Sequence, residues 1–328
     1  MRAVVTEAPG GWDHTRLADV SPPVAGDSEV LVDIRAASVN PADRHLIEGR
    51  YPGGPLPPFI AGRDAAGVVV QADADARFPV GTKVLVLQST ALNRAHGTFC
   101  ERQRVPAESV DTVPPGWSWT EAAAAPLVFQ TAWQALSCHG LLEQGQVLAV
   151  TGAGGGVGLA AVQLALALGA TVVALSSSAG KHQRLKSLGA HCVFSPDTPD
   201  LKRKISEAIG QRGLDVVVDT VGGSMLGTAV HLLGPNGYVA ALGVLGGVEG
   251  NIPIPALMFK QASIHGVLVS GGSPAEARAQ WRRIVEVLQR SGRRPVVARC
   301  FPLEQYCEAF CYLAGSPYGK VLLEINSG

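Results

Sequence analysis

Hydrophobic positions change their spacing near residue 120 of the chain. Before that point, short alternating runs such as 1–5, 29–34, 67–70 and 83–87 are separated by segments rich in Pro and Gly. Alternation with a period of two, interrupted by turn residues, predicts short strands in a β-rich domain. The next stretch is rich in Ala, and we predict a helix over 121–138.

Apolar runs of strand length then alternate with helical runs. The predicted strands are 146–151, 171–175, 192–194, 214–219, 237–242 and 263–269, and the predicted helices are 156–168, 181–188, 201–209 and 224–233. Strands that alternate with helices in this way specify a doubly wound parallel sheet. Gly169 and Gly189 follow two of these helices, where a left-handed residue is favoured.

The end of the chain combines a helix over 274–290 with a final αβ segment over 304–325. We expect this tail to return to the β-rich domain. The sequence therefore predicts an α/β protein in which 1–121 and 271–328 form a β-rich domain and 122–270 form a Rossmann domain.

A glycine-rich segment joins the first strand of the alternating series to its helix. Gly152, Gly155 and Gly158 give the spacing G-x-x-G-x-x-G, and the stricter G-x-G-x-x-G pattern fails at Ala153. Such glycines let the backbone turn tightly and approach a pyrophosphate, to which the next helix offers free N–H groups and its positive dipole end. We expect a dinucleotide here, and the alternative is a βα turn that binds nothing.

The residues that end the next strand bear on which dinucleotide binds. An NAD site usually places Asp or Glu there, on the ribose diol. This chain instead has Ser176, Ser177 and Ser178, followed by Lys181. A carboxylate would repel a 2′-phosphate, whereas hydroxyls and an ammonium would hold it. The pattern favours NADPH over NADH, and the alternative is a polar loop followed by a solvated lysine.

Composition narrows the possible partners and compartment. Lys and Arg total 27, as do Asp and Glu, and a neutral chain has no long-range attraction to nucleic acid or anionic membranes. No apolar run reaches the ~18 residues of a membrane span, and the N-terminal segment lacks the apolar region of a signal peptide. The scattered cysteines form no C-x-x-C motif, which is typical of a reduced compartment. We expect a cytoplasmic protein.

The order of motifs along nearly the whole chain resembles the medium-chain dehydrogenase/reductase superfamily. The segments that carry the resemblance are SVNPAD at 38–43, EGRYP at 48–52, GRDAAG at 62–67, FPVGTKV at 78–84, TAWQAL at 131–136, the glycine loop, DVVVDTVGG at 215–223 and YGKVL at 318–322. The resemblance implies a GroES-like β-rich catalytic domain, a central Rossmann domain and a short C-terminal return.

Zinc-dependent alcohol dehydrogenases of this superfamily carry metal ligands that the chain lacks. They place a Cys where the chain has Asn40 and a His-Glu pair where it has Arg63 and Asp64. A catalytic zinc needs three Cys, His or carboxylate ligands, and Arg63 would repel the cation. The structural zinc site needs four cysteines, but 88–103 contain only Cys100. The chain thus resembles the zinc-free branch of quinone oxidoreductases, enoyl reductases and alcohol-dehydrogenase-like proteins, and we expect no metal.

The resemblance also implies a residue-by-residue assignment of the NADPH site. The glycine-loop positions that match pyrophosphate contacts are Gly152, Gly155, Gly156, Val157 and Gly158. The positions that match the 2′-phosphate contacts of NADPH-using relatives are Ser176, Ser177, Ser178 and Lys181. The positions that match regions near the nicotinamide are Thr131, Gly243, Val269 and Ser270.

Without a Lewis acid to polarise a carbonyl, hydride transfer needs another way to stabilise the oxyanion that forms on the acceptor. Tyr51 matches the acid tyrosine of zinc-free enoyl reductases, and a neutral phenol can hydrogen-bond to an enolate or protonate it. Asn40 matches their neighbouring Asn, a donor to the substrate carbonyl. The alternatives are a turn tyrosine packed beside Pro52 and an Asn that caps the backbone before Pro41.

Together, these residues and the resemblance predict a function. We expect an NADPH-dependent, zinc-independent oxidoreductase that transfers hydride to small quinones or α,β-unsaturated carbonyls. Two alternatives stay open, a zinc-free oxidoreductase of aldehydes or alcohols and a non-enzymatic scaffold that binds the cofactor. The segment 263–268 resembles the edge strand through which relatives pair their sheets, and an apolar edge needs covering, so we also expect a homodimer.

Overall fold

Residues 1–72, 77–87, 96–269 and 273–325 are described by the computed structural model. The chain divides into two units. The first unit comprises Met1–Leu127, Ser270–Arg282 and Arg294–Gly328, and the second comprises Val128–Val269 and Arg283–Arg293. The domain boundaries drawn from the sequence stay a prediction. No helix in the described ranges combines the length and the apolar character that a membrane crossing requires.

The secondary structure follows the predicted alternation in most of the chain. The strands are β1 (Arg2–Thr6), β2 (Thr15–Asp19), β3 (Glu29–Val39), β4 (Phe59–Ile60), β5 (Asp64–Gln71), β6 (Lys83–Val86), β7 (Arg102–Pro106), β8 (Val110–Thr112), β9 (Val147–Val150), β10 (Thr171–Leu175), β11 (Cys192–Phe194), β12 (Leu214–Asp219), β13 (Leu233–Ala241), β14 (Ser263–Gly266), β15 (Val297–Pro302) and β16 (Lys320–Glu324). The α-helices are α1 (Pro41–Ile47), α2 (Trp119–Ala124), α3 (Pro126–Ala135), α4 (Gly156–Ala167), α5 (Ala179–Leu188), α6 (Leu201–Ala208), α7 (Ser224–Leu232), α8 (Ile254–Phe259), α9 (Pro274–Arg290) and α10 (Tyr306–Ala314).

The second unit is built on a six-stranded sheet in the order β11-β10-β9-β12-β13-β14. Every neighbouring pair of strands in it is parallel. All four residues of β9 are buried, as expected of a strand in a parallel sheet that helices cover on both faces. The strand order reverses direction between β9 and β12, and sheets of this kind bind ligands at the carboxyl ends of the strands at that point. The predicted Rossmann-type sheet is confirmed.

The first unit contains a seven-stranded sheet in the order β15-β16-β3-β5-β6-β8, with β7 also paired to β3, and a three-stranded sheet in the order β2-β1-β4. Strand β16 pairs antiparallel with β3, and Val321 lies opposite Val39. The C-terminal strand therefore completes a sheet that the N-terminal part begins. Apolar side chains such as Ile34 and Phe310 build the core of this unit, which has the predicted β-rich, GroES-like character.

The helix predicted over 121–138 is wrong in its extent. The structure has two helices there, α2 and α3, because Pro126 has no N–H with which to continue the hydrogen-bond ladder of α2. Helix α2 also begins earlier than predicted, since Ser118 Oγ accepts from the N–H of Glu121 over 3.1 Å and caps the helix. The short helix α8 was not predicted, and β14 ends at Gly266 rather than at 269.

Candidate functional site

The glycine loop follows β9 and runs into the first turn of α4. Gly152 has a φ of 57°, in the left-handed region that favours glycine. A Cβ on Gly158 would lie 2.8 Å from the Cα of Ala153 and closer still to the carbonyl oxygen of Gly152. The first and last glycines of the predicted spacing are therefore needed for two reasons, a backbone conformation and a close approach of α4 to the loop.

Helix α4 begins without a side-chain cap in the described structure. Its N-cap residue, Gly155, receives no capping side chain, and the first turn contains no acidic residue. The first N–H groups of a helix have no partner within the helix, and the helix dipole adds positive charge at this end. Gly156 and Val157 lie in this first turn, so the backbone here fits an anionic group such as a pyrophosphate.

Hydrogen bonds among three residues join the carboxyl ends of β9 and β12 at the point where the strand order reverses. Thr151 Oγ1 donates to Asp219 Oδ1 over 2.7 Å, and the N–H of Thr220 donates to Thr151 Oγ1 over 3.0 Å. A Cβ on Gly152 would lie 2.5 Å from Thr220 Oγ1, and a Cβ on Gly243 would overlap the backbone of Thr220. The structure thus brings Gly152 and Gly243 to one edge of the sheet, around Thr220.

The predicted 2′-phosphate residues follow β10. Ser176 is buried, whereas Ser177 and Ser178 are exposed. The side chain of Lys181 reaches back over the glycine loop, since a Cβ on Gly154 would lie 2.5 Å from its Cδ and 3.4 Å from its Nζ. The ammonium group therefore lies beside the loop, where a negatively charged ligand would meet it.

Burial and then the positive charge of Arg184 lower the pKa of Lys181. Both cations lie on α5, three residues apart. The sequence reasoning missed Arg184 and also the role of Gly154, whose missing side chain leaves room for Lys181. The K-x-x-R spacing on a helix was the signal available for Arg184.

The resemblance places three further positions near the nicotinamide. Thr131 is buried in α3, and Val269 is buried beyond the end of β14. Ser270 lies outside the described residues. Their contacts with a cofactor stay a prediction.

A buried group of polar side chains lies in the first unit and joins segments that are distant in sequence. This polar cluster consists of Asn40, Asp43, Arg63, Asp64 and Lys320. The exposed fractions run from 0% for both aspartates to 6% for Arg63. Two carboxylates and two cations balance one another formally, as buried charges must.

Asn40 uses both of its amide hydrogens inside the first unit. Its Nδ2 donates to Asp64 Oδ2 over 3.0 Å and to the carbonyl oxygen of Ser38 over 3.2 Å. Its Oδ1 accepts from Lys320 Nζ. The carboxylate on one side and the ammonium on the other fix which way the amide points. No amide hydrogen is left for a substrate carbonyl, so a contact of Asn40 with substrate stays a prediction, and the geometry favours a positioning role.

Burial raises the pKa of Asp64 and lowers that of Lys320, and each charge opposes the shift of the other. Asp64 Oδ1 also accepts from the N–H of Leu127 over 3.0 Å. Burial raises the pKa of Asp43 to about 6 against the opposing charge of Arg63. Asp43 Oδ2 accepts from the N–H of Asn40 over 2.8 Å, at the start of α1.

Arg63 links the polar cluster to Tyr51. The Cζ of Arg63 lies 4.4 Å from the centroid of the Tyr51 ring, and Nη1 donates a long hydrogen bond of 3.4 Å to Tyr51 Oη. On its other side, Nε lies 3.7 Å from Asp43 Oδ1. A guanidinium has no acceptor, so the phenol accepts in this pair and keeps its own hydrogen. Tyr51 is half-buried, and its hydroxyl donates to none of the described residues.

The sequence reasoning placed Asn40, Arg63 and Asp64 at the positions of zinc ligands, and the structure brings these three residues together. It missed Asp43 as a partner of Arg63 and Lys320 as a member of the cluster. Among the described residues, no three His, Cys, Asp or Glu side chains are grouped so as to hold a metal.

Two family models match the chain. The model of the alcohol dehydrogenase GroES-like domain matches residues 26–130, and that of the zinc-binding dehydrogenase family matches residues 156–290. Human quinone oxidoreductase is 29% identical over 311 residues, which cover 94% of this chain and 92% of the relative. The synaptic vesicle membrane protein VAT-1 homolog of Danio rerio is 30% identical in an alignment that covers 98% of this chain and 69% of the relative.

Solved structures share the fold over nearly the whole chain. An NAD-dependent alcohol dehydrogenase superimposes with a TM-score of 0.89 at 28% identity and covers 99% of this chain and 100% of its own. A mycobacterial protein in complex with NADPH superimposes with a TM-score of 0.87 at 25% identity, with coverage of 99% and 100%. These two relatives are named for different dinucleotides.

Proposed function

Because the chain belongs to the medium-chain dehydrogenase/reductase superfamily, in its zinc-free, quinone-oxidoreductase-like branch, we propose that it is an NADPH-dependent reductase of quinones or α,β-unsaturated carbonyls. Enzymes of this superfamily are oxidoreductases that bind a nicotinamide cofactor and act on small molecules. We infer the choice of NADPH and the class of acceptor from the residues of this chain.

The position of Lys181 is the main observation in favour of NADPH over NADH. Its ammonium lies beside the glycine loop, and the serines that follow β10 leave no carboxylate to repel a 2′-phosphate. Ser177, Ser178 and Lys181 would hold that phosphate, while the backbone N–H groups of Gly156 and Val157 would hold the pyrophosphate. When bound, NADPH supplies the hydride.

Tyr51 supports the choice of acceptor. A quinone or a conjugated carbonyl that gains a hydride carries its new negative charge on oxygen. The Tyr51 hydroxyl keeps a hydrogen that no described residue accepts, and Arg63 places a positive charge 4.4 Å from its ring. Tyr51 therefore donates a hydrogen bond to the charged oxygen and, for an enolate, the proton. Asn40 helps to hold this part of the first unit in place.

The residues at the zinc-ligand positions do not fit a metal, although one matching family is described as zinc-binding. The amide nitrogen of Asn40 donates to Asp64 Oδ2, and the other carboxylate oxygen of Asp64 accepts from the N–H of Leu127. The guanidinium of Arg63 can donate hydrogen bonds but offers no lone pair to a cation. The proposed reaction accordingly uses no zinc.

A second copy of the chain is the proposed partner. Strand β14 is the last strand in the order of the six-stranded sheet and lies at its edge. Exposed apolar side chains lie on the segments before and after this strand. Val248 and Phe259 are 87% and 89% exposed, and the set also includes Val244, Leu245, Ile254, Met258 and Leu268. Apolar surface of this kind is normally covered. Sedimentation analysis should give a dimer that F259E weakens, and a monomer at micromolar concentration would contradict the proposal.

NADPH oxidation by the purified, EDTA-treated protein tests the proposed function. The acceptors are a para-quinone, a small enone, a 2-enoyl-CoA and a simple aldehyde. We expect turnover of the quinone or the enone, and a loss of enone turnover on the order of 10² in Y51F, the usual size of a general-acid contribution. Turnover of the aldehyde alone, or of no acceptor, would contradict the proposal.

A further inference from the structure

The buried position of the Arg63 guanidinium is energetically unfavourable. Its side chain is 7% exposed, and Nη2 has no hydrogen-bond partner among the described residues. Burying a guanidinium costs free energy unless its charge and its donors are all satisfied. A buried donor that stays unsatisfied in a native structure calls for an explanation, and a role in function is one of the few available.

The contacts of Arg63 fix the ring and the hydroxyl of Tyr51 together. The guanidinium lies over the aromatic face, and Nη1 reaches the phenolic oxygen over 3.4 Å. Because Arg63 cannot accept a hydrogen bond and carries a positive charge, it repels the hydroxyl hydrogen, which therefore points away from it. Asp43 holds Arg63 from the other side through Nε over 3.7 Å and is itself anchored by the N–H of Asn40.

We propose that Arg63 is the positioning residue that orients Tyr51 as the hydrogen donor to the acceptor. This inference rests on the proposed function, because it gives Arg63 its role through Tyr51. Only a planar guanidinium, with several N–H groups in one plane, can cover the ring, donate to the hydroxyl and face a carboxylate at once. Lysine is a compact point charge on a flexible stem and cannot make the three contacts together.

A purely structural role for Arg63 makes a different prediction. If Arg63 only balances the charge of Asp43 and Asp64, its loss should reduce activity by the same factor whether or not residue 51 carries a hydroxyl. If Arg63 acts through Tyr51, its loss should matter only when that hydroxyl is present. A double-mutant cycle separates the two roles.

The experiment measures kcat for an enone at saturating NADPH in wild type, R63M, Y51F and R63M/Y51F. We expect R63M to lose roughly tenfold and Y51F on the order of 10², with no further loss in R63M/Y51F. R63K should recover little of the loss, because lysine restores the positive charge but not the planar guanidinium. R50M is the matched control, since Arg50 is exposed and pairs with Glu48, and it should keep the wild-type kcat.

R63M leaves Asp43 buried beside an apolar side chain and this variant can fail to fold. R63M/D43N removes both charges, and the same cycle is then run with Y51F in the D43N background. Independent losses that multiply in the double variant, or an unchanged kcat in R63M, would overturn the inference while leaving the proposed function in place.

A second readout needs no turnover. With ¹³C-labelled tyrosine, the Cζ resonance of Tyr51 is assigned by its loss in Y51F. We expect this resonance to shift in R63M and to stay in place in R50M. If it shifts but wild type reduces no acceptor, the contact stands while the proposed function and the positioning role built on it both fall. If it does not shift, the contact itself is contradicted.

Discussion

The glycine loop and the polar cluster differ in where their charge comes from and in whether it is balanced within the chain. The loop uses backbone N–H groups and Lys181, and it depends on missing side chains, as the close approach at Gly158 shows. The cluster uses side chains that are almost fully buried and that balance one another. The loop should therefore tolerate a change of charge better than added volume, and the cluster should be most sensitive to the loss of one charge.

The largest effect is expected where one charge of the cluster is removed. K320M takes away the cation that faces Asp64 and Asn40, and breaking a buried pair in this way costs about 3–5 kcal/mol of unfolding free energy. Urea unfolding followed by tryptophan fluorescence measures this loss. It reports mainly on the first unit, which contains Trp12, Trp117, Trp119 and Trp281.

R16M is the control in the same unit, because Arg16 is exposed on β2 and pairs with Glu7, and it should change stability by less than about 0.5 kcal/mol. K320M/D64N should recover part of the loss, since no uncompensated charge remains. Equal stability of K320M and R16M would show that the cluster does not depend on charge balance.

The buried carboxyl group of Asp43 should make the stability of the polar cluster depend on pH. Its pKa is raised from 3.8 to about 6 in the folded chain, so the folded state binds more protons than the unfolded state between these values. The contribution of Asp43 is therefore present below pH 4 and is lost as the pH rises to 6. The shift corresponds to about 3 kcal/mol.

D43N removes this titration. The unfolding free energy of wild type minus that of D43N should fall between pH 4 and pH 6 and then level off. A difference that stays constant across this range would mean that Asp43 titrates at an ordinary value.

Added volume should damage the glycine loop. In G158A the new Cβ meets backbone atoms within 3 Å, whereas in G155A it would meet the carbonyl oxygen of Gly152 at 3.4 Å. Overpacking costs about 1–3 kcal/mol, so NADPH should bind roughly ten- to a hundredfold more weakly to G158A, as measured by fluorescence titration. G155A should bind within a few-fold of wild type. Equal losses would show that close packing of α4 is not what the loop requires.

Loss of charge at the loop should have a smaller and more selective effect. K181A removes a charge-assisted contact of a side chain that is only partly buried, which we place at the lower end of the usual range, about 1.5 kcal/mol, so the Kd for NADPH should rise roughly tenfold while the Kd for NADH stays the same. K186A is the matched control on the same helix. An equal change for both dinucleotides would assign Lys181 to the pyrophosphate rather than to the 2′-phosphate.

The two regions also differed in how well the sequence predicted them. The glycine loop lies in one continuous strand–loop–helix segment, so its spacing is visible in the sequence. The polar cluster joins residues such as Asn40 and Lys320, which are 280 positions apart, and local patterns do not indicate such a pairing. The single helix predicted over 121–138 is a different kind of error. The sequence shows Pro126, which ends α2, but the Ala-rich composition around it led us to predict one continuous helix.

The dependence on NADPH and the independence from metal are tested together by measuring kcat/KM of the EDTA-treated protein for NADPH and for NADH with one para-quinone. We expect turnover without added metal and a preference for NADPH of at least about tenfold, the size of one charge-assisted contact. Turnover that appears only after zinc is restored, or an equal or better use of NADH, would show that the chain is not a zinc-independent, NADPH-dependent reductase.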